Sequence, residues 1–146
     1  IRYLRILEAA AEQDLVVVVH AGVDIGLPDP VYASVSRIAA AIRATAPEKL
    51  VLAHLGGWKE WDAAEELLMG ENVYLDTAFL EDYIDDEQLL RIIRKHGAEK
   101  ILFGTDCPWS GQRESVERLE RLPLSETEKN LIFAGNAKKL LGIKDE

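Results

Sequence analysis

The chain has 146 residues, of which 48% are apolar and 29% are charged, a composition typical of a folded globular domain. Its length suits one domain and is too short for a complete eight-stranded α/β barrel of roughly 250 residues. The formal charge of -9 argues against nonspecific binding to nucleic acid or to an anionic membrane surface. The longest apolar run, residues 15–19, is too short to span a membrane, and no signal-peptide pattern is present. With a single cysteine, Cys107, these features predict a cytoplasmic protein without an internal disulfide.

Short apolar runs alternate with amphipathic segments along the chain. The runs are apolar throughout, which is typical of parallel strands covered on both faces, and the segments between them have apolar residues at helical spacing. The predicted strands are residues 15–20, 50–54, 72–76 and 100–104, and the predicted helices are residues 3–13, 34–45, 60–69, 87–96, 114–121, 129–134 and 136–141. This order predicts an α/β fold with four parallel strands alternating with helices, in a single domain over residues 1–146.

Helix boundaries have recognisable signals. Asp85 with Gln88, and Ser125 with Glu128, have the spacing of capping boxes, which predicts a helix start at each place. His96 stands at the end of the predicted helix 87–96, where an imidazolium is stabilised by the negative end of the helix dipole. We therefore predict a structural role for His96.

A polar residue ends each predicted strand: His20, His54, Asp76 and Asp106. Because parallel strands have their carboxyl ends at one edge of a sheet, these four side chains are candidates for one site. Imidazole nitrogens and carboxylate oxygens are ligands that zinc, manganese, iron or nickel accept, and a divalent ion with an open position makes hydroxide from water near neutral pH. The pattern therefore indicates metal-assisted chemistry.

Each of these residue types also has a structural interpretation. A single histidine at a strand end is more often a hydrogen-bonding structural residue than a ligand, and Asp76 could cap the turn that follows it. Trp58, Trp61 and Trp109 could form the wall of a substrate pocket or cover the rim of the sheet. Cys107 adjoins a carboxylate, which opposes thiolate formation, so we expect it to have a packing role.

Four motifs resemble those of the amidohydrolase-related family, the branch of the amidohydrolase superfamily that includes aminocarboxymuconate-semialdehyde decarboxylase. They are Val19-His20-Ala21-Gly22, Ala53-His54-Leu55-Gly56-Gly57, Gly104-Thr105-Asp106-Cys107-Pro108-Trp109 and Gly135-Asn136-Ala137-Lys138-Lys139-Leu140-Leu141. The resemblance implies the C-terminal half of a distorted (β/α)8 TIM-like barrel, with the four predicted strands as strands five to eight.

The resemblance also implies roles for particular residues. His20 and Asp106 match metal ligands, and His54 matches a histidine that is an acid/base beside one ion or a ligand of a second. Asp106 would also orient or deprotonate the attacking water, and His54 would polarise substrate or carry a proton. Trp58 and Trp109 are candidates for the substrate pocket. The implied cofactor is a divalent metal, zinc first, with manganese, iron or nickel as alternatives, and no organic cofactor is implied.

The chain departs from the family at one point, because it has no His-x-His pair to supply two further ligands. We therefore expect an N-terminal half-barrel to be missing and the chain to be inactive alone. We also expect it to pair with that half or with another copy of itself.

The expected function is a metal-dependent hydrolase acting on a small-molecule amide, ester or lactone. A nonoxidative decarboxylase of an aromatic or unsaturated acid is the alternative on the same fold. A flavodoxin-like ligand-binding domain, which would be a self-sufficient monomer, is the alternative of another class.

Overall fold

A parallel sheet of four short strands forms the centre of the computed structural model, which describes residues 2–27 and 29–144. The strands β1 (Val17–Val19), β2 (Leu50–Leu52), β3 (Tyr74–Asp76) and β4 (Ile101–Leu102) lie side by side in chain order. Val18 is aligned with Val51, and Leu75 with Ile101. The prediction of four parallel strands is confirmed. Each strand is shorter than predicted, because its terminal residues leave the ladder and enter loops.

Seven α-helices are present in the described residues: α1 (Arg2–Glu12), α2 (Val35–Thr45), α3 (Trp61–Leu67), α4 (Asp86–His96), α5 (Gln112–Arg121), α6 (Glu126–Asn130) and α7 (Asn136–Leu141). Single 3-10 turns occupy His54–Gly56 and Ala98–Lys100, and a π-helical turn, Leu131–Gly135, joins α6 to α7. The structure thus alternates helices and strands as the sequence predicts, since each segment between strands buries one apolar face.

The two predicted capping boxes have different outcomes. Ser125 and Glu128 form a complete box, with each side chain accepting the other residue's backbone N–H. Helix α6 therefore begins at Glu126, before the predicted start at residue 129. Asp85 caps α4 by accepting the N–H of Gln88 at 2.7 Å, but the Gln88 side chain donates to Asp62 and Glu65 instead. The prediction that the Gln88 side chain bonds back to the backbone of Asp85 is therefore wrong.

One face of the sheet packs against the helices and forms the main core. Its fully buried members include Leu52 of β2, Leu75 of β3 and Ile101 of β4, which meet Ile92 and Ile93 of α4 in one cluster. Burial of a side chain of this size stabilises the fold by about 1.5–3 kcal/mol. Because side chains alternate between the faces of a strand, the intervening residues face the other side.

That second face has a smaller cluster, closed by the C-terminal helix. Leu140 of α7 packs with Val51 of β2 and Tyr74 of β3. Asn136, at the start of α7, holds the helix in place because its amide donates to the carbonyl oxygens of Ala98 and Ile101, both at 2.7 Å. The side-chain amide of Asn136 thus fixes α7 to the beginning of β4.

Both outer edges of the sheet lack a neighbouring strand within residues 2–27 and 29–144. β1 pairs only with β2, and β4 only with β3. On the β1 side, Leu15 is 58% exposed and Val18 is 63% exposed. Open edges and exposed apolar side chains are unusual for a finished domain, and a closed barrel removes them. None of the helices in these described residues has the length and hydrophobicity of a transmembrane segment.

Helices α3 and α4 are joined by an ion-pair network around Glu65. The Glu65 carboxylate accepts hydrogen bonds from Arg91 and Lys95, both at 2.7 Å. The hydrogen bond from Arg91 is the main cause that lowers the pKa of Glu65 to about 2. Glu65 is therefore ionised at ordinary pH and holds two helices against the same face of the sheet.

His96 has the structural role predicted for it, but the predicted imidazolium is wrong. The side chain is buried, its Nε2–H donates to the carbonyl of Val73 at 2.9 Å, and its Nδ1 accepts the N–H of Gly70 at 3.3 Å. An acceptor at Nδ1 requires a neutral ring. Burial lowers the pKa of His96, which also favours the neutral form.

We predict that His96 makes the protein less stable at mildly acidic pH. Above about 6.5, the ordinary histidine pKa, neither the folded nor the unfolded chain protonates this ring, so the stability difference is zero. As the pH falls below that value, the unfolded chain binds a proton that the folded chain excludes, and the free energy of unfolding decreases. Urea unfolding at pH 8 and pH 5 should show a larger decrease for the original protein than for His96→Gln. Equal decreases for the two proteins would show that the folded protein protonates His96 normally.

Candidate functional site

A cleft of about 360 Å³ lies at the carboxyl edge of the sheet. It brings together all five residues that the sequence predicts for metal binding, proton transfer or substrate contact. The lining residues are His20, Val23, Asp24, Ile25, Gly26, His54, Trp58, Phe79, Asp106 and Trp109. A larger depression of about 670 Å³ lies between the loop after β3 and helix α5, and no histidine lines it. The smaller cleft is therefore the candidate site.

His20 follows β1 and is held by its own loop. Its Nε2 lies 3.0 Å from the carbonyl oxygen of Val23, so Nε2–H donates to that oxygen, and in the tautomer this contact selects the lone pair is on Nδ1. The loop is anchored on Trp58, whose backbone N–H donates to the carbonyl of Ala21 at 2.8 Å. Gly22 is required at this contact, because it has φ 93° and a Cβ there would lie 2.3 Å from the backbone nitrogen of Trp58.

His54 follows β2 in an uncommon backbone conformation. Both His54 and Leu55 have positive φ, 57° and 54°, a left-handed region that costs energy for residues other than glycine. Three hydrogen bonds fix the residue: its N–H donates to Asp76 Oδ1 at 2.8 Å, its Nδ1–H donates to the Ala78 carbonyl at 2.9 Å, and its carbonyl accepts from Trp61 Nε1 at 2.9 Å. Its Nε2 takes part in none of these three hydrogen bonds.

The two imidazoles lie against each other at the base of the cleft. The centroids of the His20 and His54 rings are 4.9 Å apart in an edge-on arrangement. Their carbonyl partners select opposite tautomers, with the free lone pair on Nδ1 of His20 and on Nε2 of His54. Neutral imidazole nitrogens with fixed tautomers can bind a metal ion or accept a proton.

Asp76 ends β3 as a structural residue. Its Oδ1 accepts the N–H of Ala78 at 3.0 Å, which confirms the turn-capping interpretation, and the N–H of His54 at 2.8 Å. Burial raises the pKa of Asp76, although both backbone hydrogen bonds favour its ionised form. The sequence identified the cap but not the bond to His54, because nothing local marks a contact across 22 residues.

Asp106 follows β4 in a turn that projects from the sheet. It is exposed, has φ 57°, a conformation that aspartate tolerates, and its carbonyl accepts the N–H of Trp109 at 2.9 Å. Cys107 in the same turn is also exposed, so the packing role predicted for it is wrong. The turn lies beyond the end of the strand, where no core is available.

The three tryptophans have different surroundings. Trp61 is buried in the core, and its indole N–H donates to the backbone carbonyl of His54. Trp109 is 75% exposed at the mouth of the cleft. Trp58 is buried and stacks on Phe79, with ring centroids 6.0 Å apart. Its Nε1 is the one buried side-chain nitrogen or oxygen without a hydrogen-bond partner in the described part of the chain. Such an unpaired donor is unusual in a folded protein.

The sequence patterns did not predict the presence of Phe79 and Asp24 in the cleft. Phe79 contributes an aromatic wall, and Asp24 accepts the N–H of Gly26 at 2.8 Å through its side chain. Phe79 has no distinctive signal in the sequence. Asp24 has a weak one, because an aspartate in a loop two residues before a glycine is typical of a turn.

The donors of the cleft suit a divalent metal in kind but not in number. Across residues 2–27 and 29–144, no group of three histidine, cysteine, aspartate or glutamate side chains is arranged to hold a metal ion. A zinc site has four ligands, of which a catalytic site draws three from the protein. A metal ion bound in this cleft would therefore need further donors from outside the described residues.

The fold and the cleft define a class, namely part of a parallel α/β barrel with polar strand ends at one mouth. The family model described as amidohydrolase matches residues 1–143, and the chain belongs to that family. A comparison with curated proteins found no match.

Several solved structures share this fold. An uncharacterised TIM-barrel protein from Bordetella bronchiseptica has a TM-score of 0.80 at 22% identity over 97% of this chain and 51% of its own. A dihydroxybenzoic acid decarboxylase from Polaromonas sp. JS666, with bound manganese and the inhibitor 2-nitroresorcinol, has a TM-score of 0.70 at 19% identity. The match covers 99% of this chain and 55% of the decarboxylase. An amidohydrolase from Burkholderia multivorans with bound zinc has a TM-score of 0.70 at 17% identity, and the match covers 97% of this chain and 57% of that protein.

These comparisons confirm the predicted family and barrel class. The chain spans about half the length of the structures it resembles. Its strand order, β1-β2-β3-β4, is that of a barrel segment, whereas a flavodoxin-like sheet has the order 2-1-3-4-5. The flavodoxin-like alternative is therefore set aside.

We predict that Asp76 stabilises the protein through its hydrogen bonds and not through its charge. Asp76→Ala leaves the buried N–H groups of His54 and Ala78 unpaired and should lower the free energy of unfolding by about 2–4 kcal/mol. Asp76→Asn keeps an oxygen acceptor and should cost less than about 1 kcal/mol. Urea unfolding of the two variants measures the difference, and an equal loss in both would mean that the negative charge is what matters.

Proposed function

We propose that the protein containing this chain is a metal-dependent hydrolase of the amidohydrolase family, and that the chain supplies strands five to eight of its barrel. The observation that carries the proposal is the cleft in which His20, His54 and Asp106 meet at one sheet edge. Family membership and the resemblance of the motifs support the same conclusion. The strands that close the barrel, and the remaining ligands, come from outside this chain.

In this proposal, His20 and Asp106 hold a divalent ion. Nδ1 of His20 has the free lone pair, and the exposed Asp106 carboxylate offers an anionic oxygen. Zinc or manganese fits this mixed donor set, and iron or nickel would also accept it. When bound, the ion polarises a substrate oxygen and lowers the pKa of water. Two proteins to which this chain is similar in fold hold manganese and zinc.

His54 carries the proton. Because its Nδ1–H is held by the carbonyl of Ala78, the available atom is Nε2, which accepts a proton from a water molecule or returns one to a leaving group. His54 could bind a second ion through the same atom. Asp106 has a second role beside the metal, because its carboxylate can orient or deprotonate the attacking water.

The substrate is a small molecule with a flat, oxygen-bearing group. Trp58, Phe79 and Trp109 line the cleft and offer ring surfaces to a planar group. The indole N–H of Trp58, which has no hydrogen-bond partner among the described residues, is the donor we propose for a carbonyl or carboxylate oxygen of the substrate. An amide, ester or lactone next to a conjugated ring has these features.

Nonoxidative decarboxylation of an aromatic or unsaturated acid is the second candidate. It is favoured by the structural similarity to the Polaromonas decarboxylase and by the aromatic lining of the cleft. In that reaction His54 Nε2 would first take up a proton from solvent and then deliver it to the carbon that loses carbon dioxide. The two reactions differ in their product, since only one of them releases carbon dioxide.

The open edges of the sheet support a proposal about the partner. β1 and β4 each have one unpaired edge in the described residues, and Leu15 and Val18 expose apolar surface there. We propose that the other half-barrel covers these edges, and that a second copy of this chain can take its place when the other half is absent. A two-fold axis along the strands would let β1 of each copy pair with β4 of its partner.

We predict that Asp106→Asn and His54→Gln each lower kcat/KM of the intact protein by at least about 100-fold, because each removes a proton-transfer group. Glu117→Gln, a change at an exposed position of helix α5, is the matched control and should leave the rate unchanged. The assay follows hydrolysis of amides, esters and lactones of aromatic acids and, in parallel, carbon dioxide release from the free acids. Activity of Asp106→Asn within twofold of the original protein would overturn the assignment.

A further inference from the structure

One carboxylate joins two of the loops that line the cleft. Glu81 lies in the loop after β3, two residues beyond Phe79, and Ser110 lies in the loop after β4, next to Trp109. The Ser110 hydroxyl donates to Glu81 Oε2 at 2.7 Å, across 29 residues of sequence. The loops of two neighbouring strands are therefore tied together beside the cleft.

Glu81 is itself held by helix α5. Ser115, in the first turns of that helix, donates a short hydrogen bond to Glu81 Oε1. Arg118 donates to the backbone carbonyls of Glu81 and Ile84. Burial raises the pKa of Glu81, but the hydrogen bonds from Ser115 and Ser110 outweigh it and the pKa is lowered overall. Glu81 is thus a fixed, ionised acceptor for both serines.

The turn that carries Asp106 depends on attachments at its two ends. Before the turn, Thr77 and Gly104 exchange two hydrogen bonds of 3.1 Å each. After the turn, the bond from Ser110 to Glu81 is the attachment to the loop after β3. Between these points, the side chain of Asp106 makes no hydrogen bond to any described residue. Its position therefore follows from the two attachments of the turn.

We propose that Glu81 is a positioning residue that sets the place of Asp106 and Trp109 in the cleft. The inference rests on the proposed function, because Asp106 is the group whose placement matters there. Glu81 does not line the cleft, so it acts through Ser110 and not on the substrate. Loss of a residue that orients a metal ligand or proton acceptor typically costs 10–100-fold in activity or metal affinity.

A purely structural role for Glu81 would be different. In that case the bond that matters is the one from Ser115, which fastens α5 to the loop after β3, and the bond from Ser110 would be incidental. The two serines separate the alternatives, because Ser110→Ala frees the Asp106 turn and Ser115→Ala frees the helix. Glu114→Gln is the matched control, because Glu114 lies on helix α5 and lines, as Glu81 does, the depression between that helix and the loop after β3.

The test compares these variants of the intact protein by kcat, by thermal midpoint and by amide hydrogen exchange over residues 105–110. We expect Glu81→Ala and Ser110→Ala to lower kcat about 10-fold or more with little change in KM. Exchange over the turn should rise in both. The double variant should be no worse than Glu81→Ala alone, because the two residues act through one bond. Ser115→Ala should lower the thermal midpoint more than it lowers kcat.

Each outcome decides the question. If Ser110→Ala keeps kcat within twofold of Glu114→Gln and leaves exchange over the turn unchanged, the positioning role is wrong, and an effect confined to Ser115→Ala overturns it equally. If Glu81→Ala does not fold, Ser110→Ala carries the test, since it removes a single hydrogen bond. If the original protein has no activity, the proposed function fails, and the exchange measurement alone then supports or overturns the positioning of the turn by Glu81.

Discussion

One oxygen atom, Oδ1 of Asp76, holds the centre of the candidate site. It accepts the backbone N–H groups of His54 and Ala78, and the carbonyl of Ala78 in turn accepts Nδ1–H of His54. The end of β3 therefore sets the position, the left-handed backbone and the tautomer of the histidine that ends β2. Since the ring of His20 lies against that histidine, the arrangement reaches three strands. A buried hydrogen-bond network of this kind fixes geometry as long as every member is satisfied.

The proposed metal donors in the cleft depend on a barrel that this sheet does not complete. His20 and Asp106 stand on the two edge strands, β1 and β4, with His54 and Asp76 between them. Half of a barrel mouth is thus present, and within the described part of the chain no further strand pairs with either edge. The two strands with an unpaired edge are also the strands that the proposed ligands His20 and Asp106 follow. Closing the barrel would satisfy both needs at once, by pairing the edges and completing the donor set.

The sequence predicted what depends on local pattern. Apolar runs gave the four strands, and the rule that parallel strands share a carboxyl edge placed His20, His54 and Asp106 together. Contacts between distant segments were not predictable, such as the bond from Asp76 to His54 or that from Ser110 to Glu81, which span 22 and 29 residues. The protonation of His96 was missed for a related reason. Its helix position favours a charge, but burial against Val73 and Gly70 decides against it.

The most direct test of a metal centre shared between this chain and the rest of its barrel is the metal content of the intact protein. Purified protein and its His20→Ala and His96→Ala variants would be loaded with zinc or manganese, dialysed and analysed for bound metal. We expect the original protein and His96→Ala to keep metal in a fixed ratio to folded chain, and His20→Ala to lose most of it. Full metal retention by His20→Ala, or no metal in the original protein after loading, would contradict the assignment.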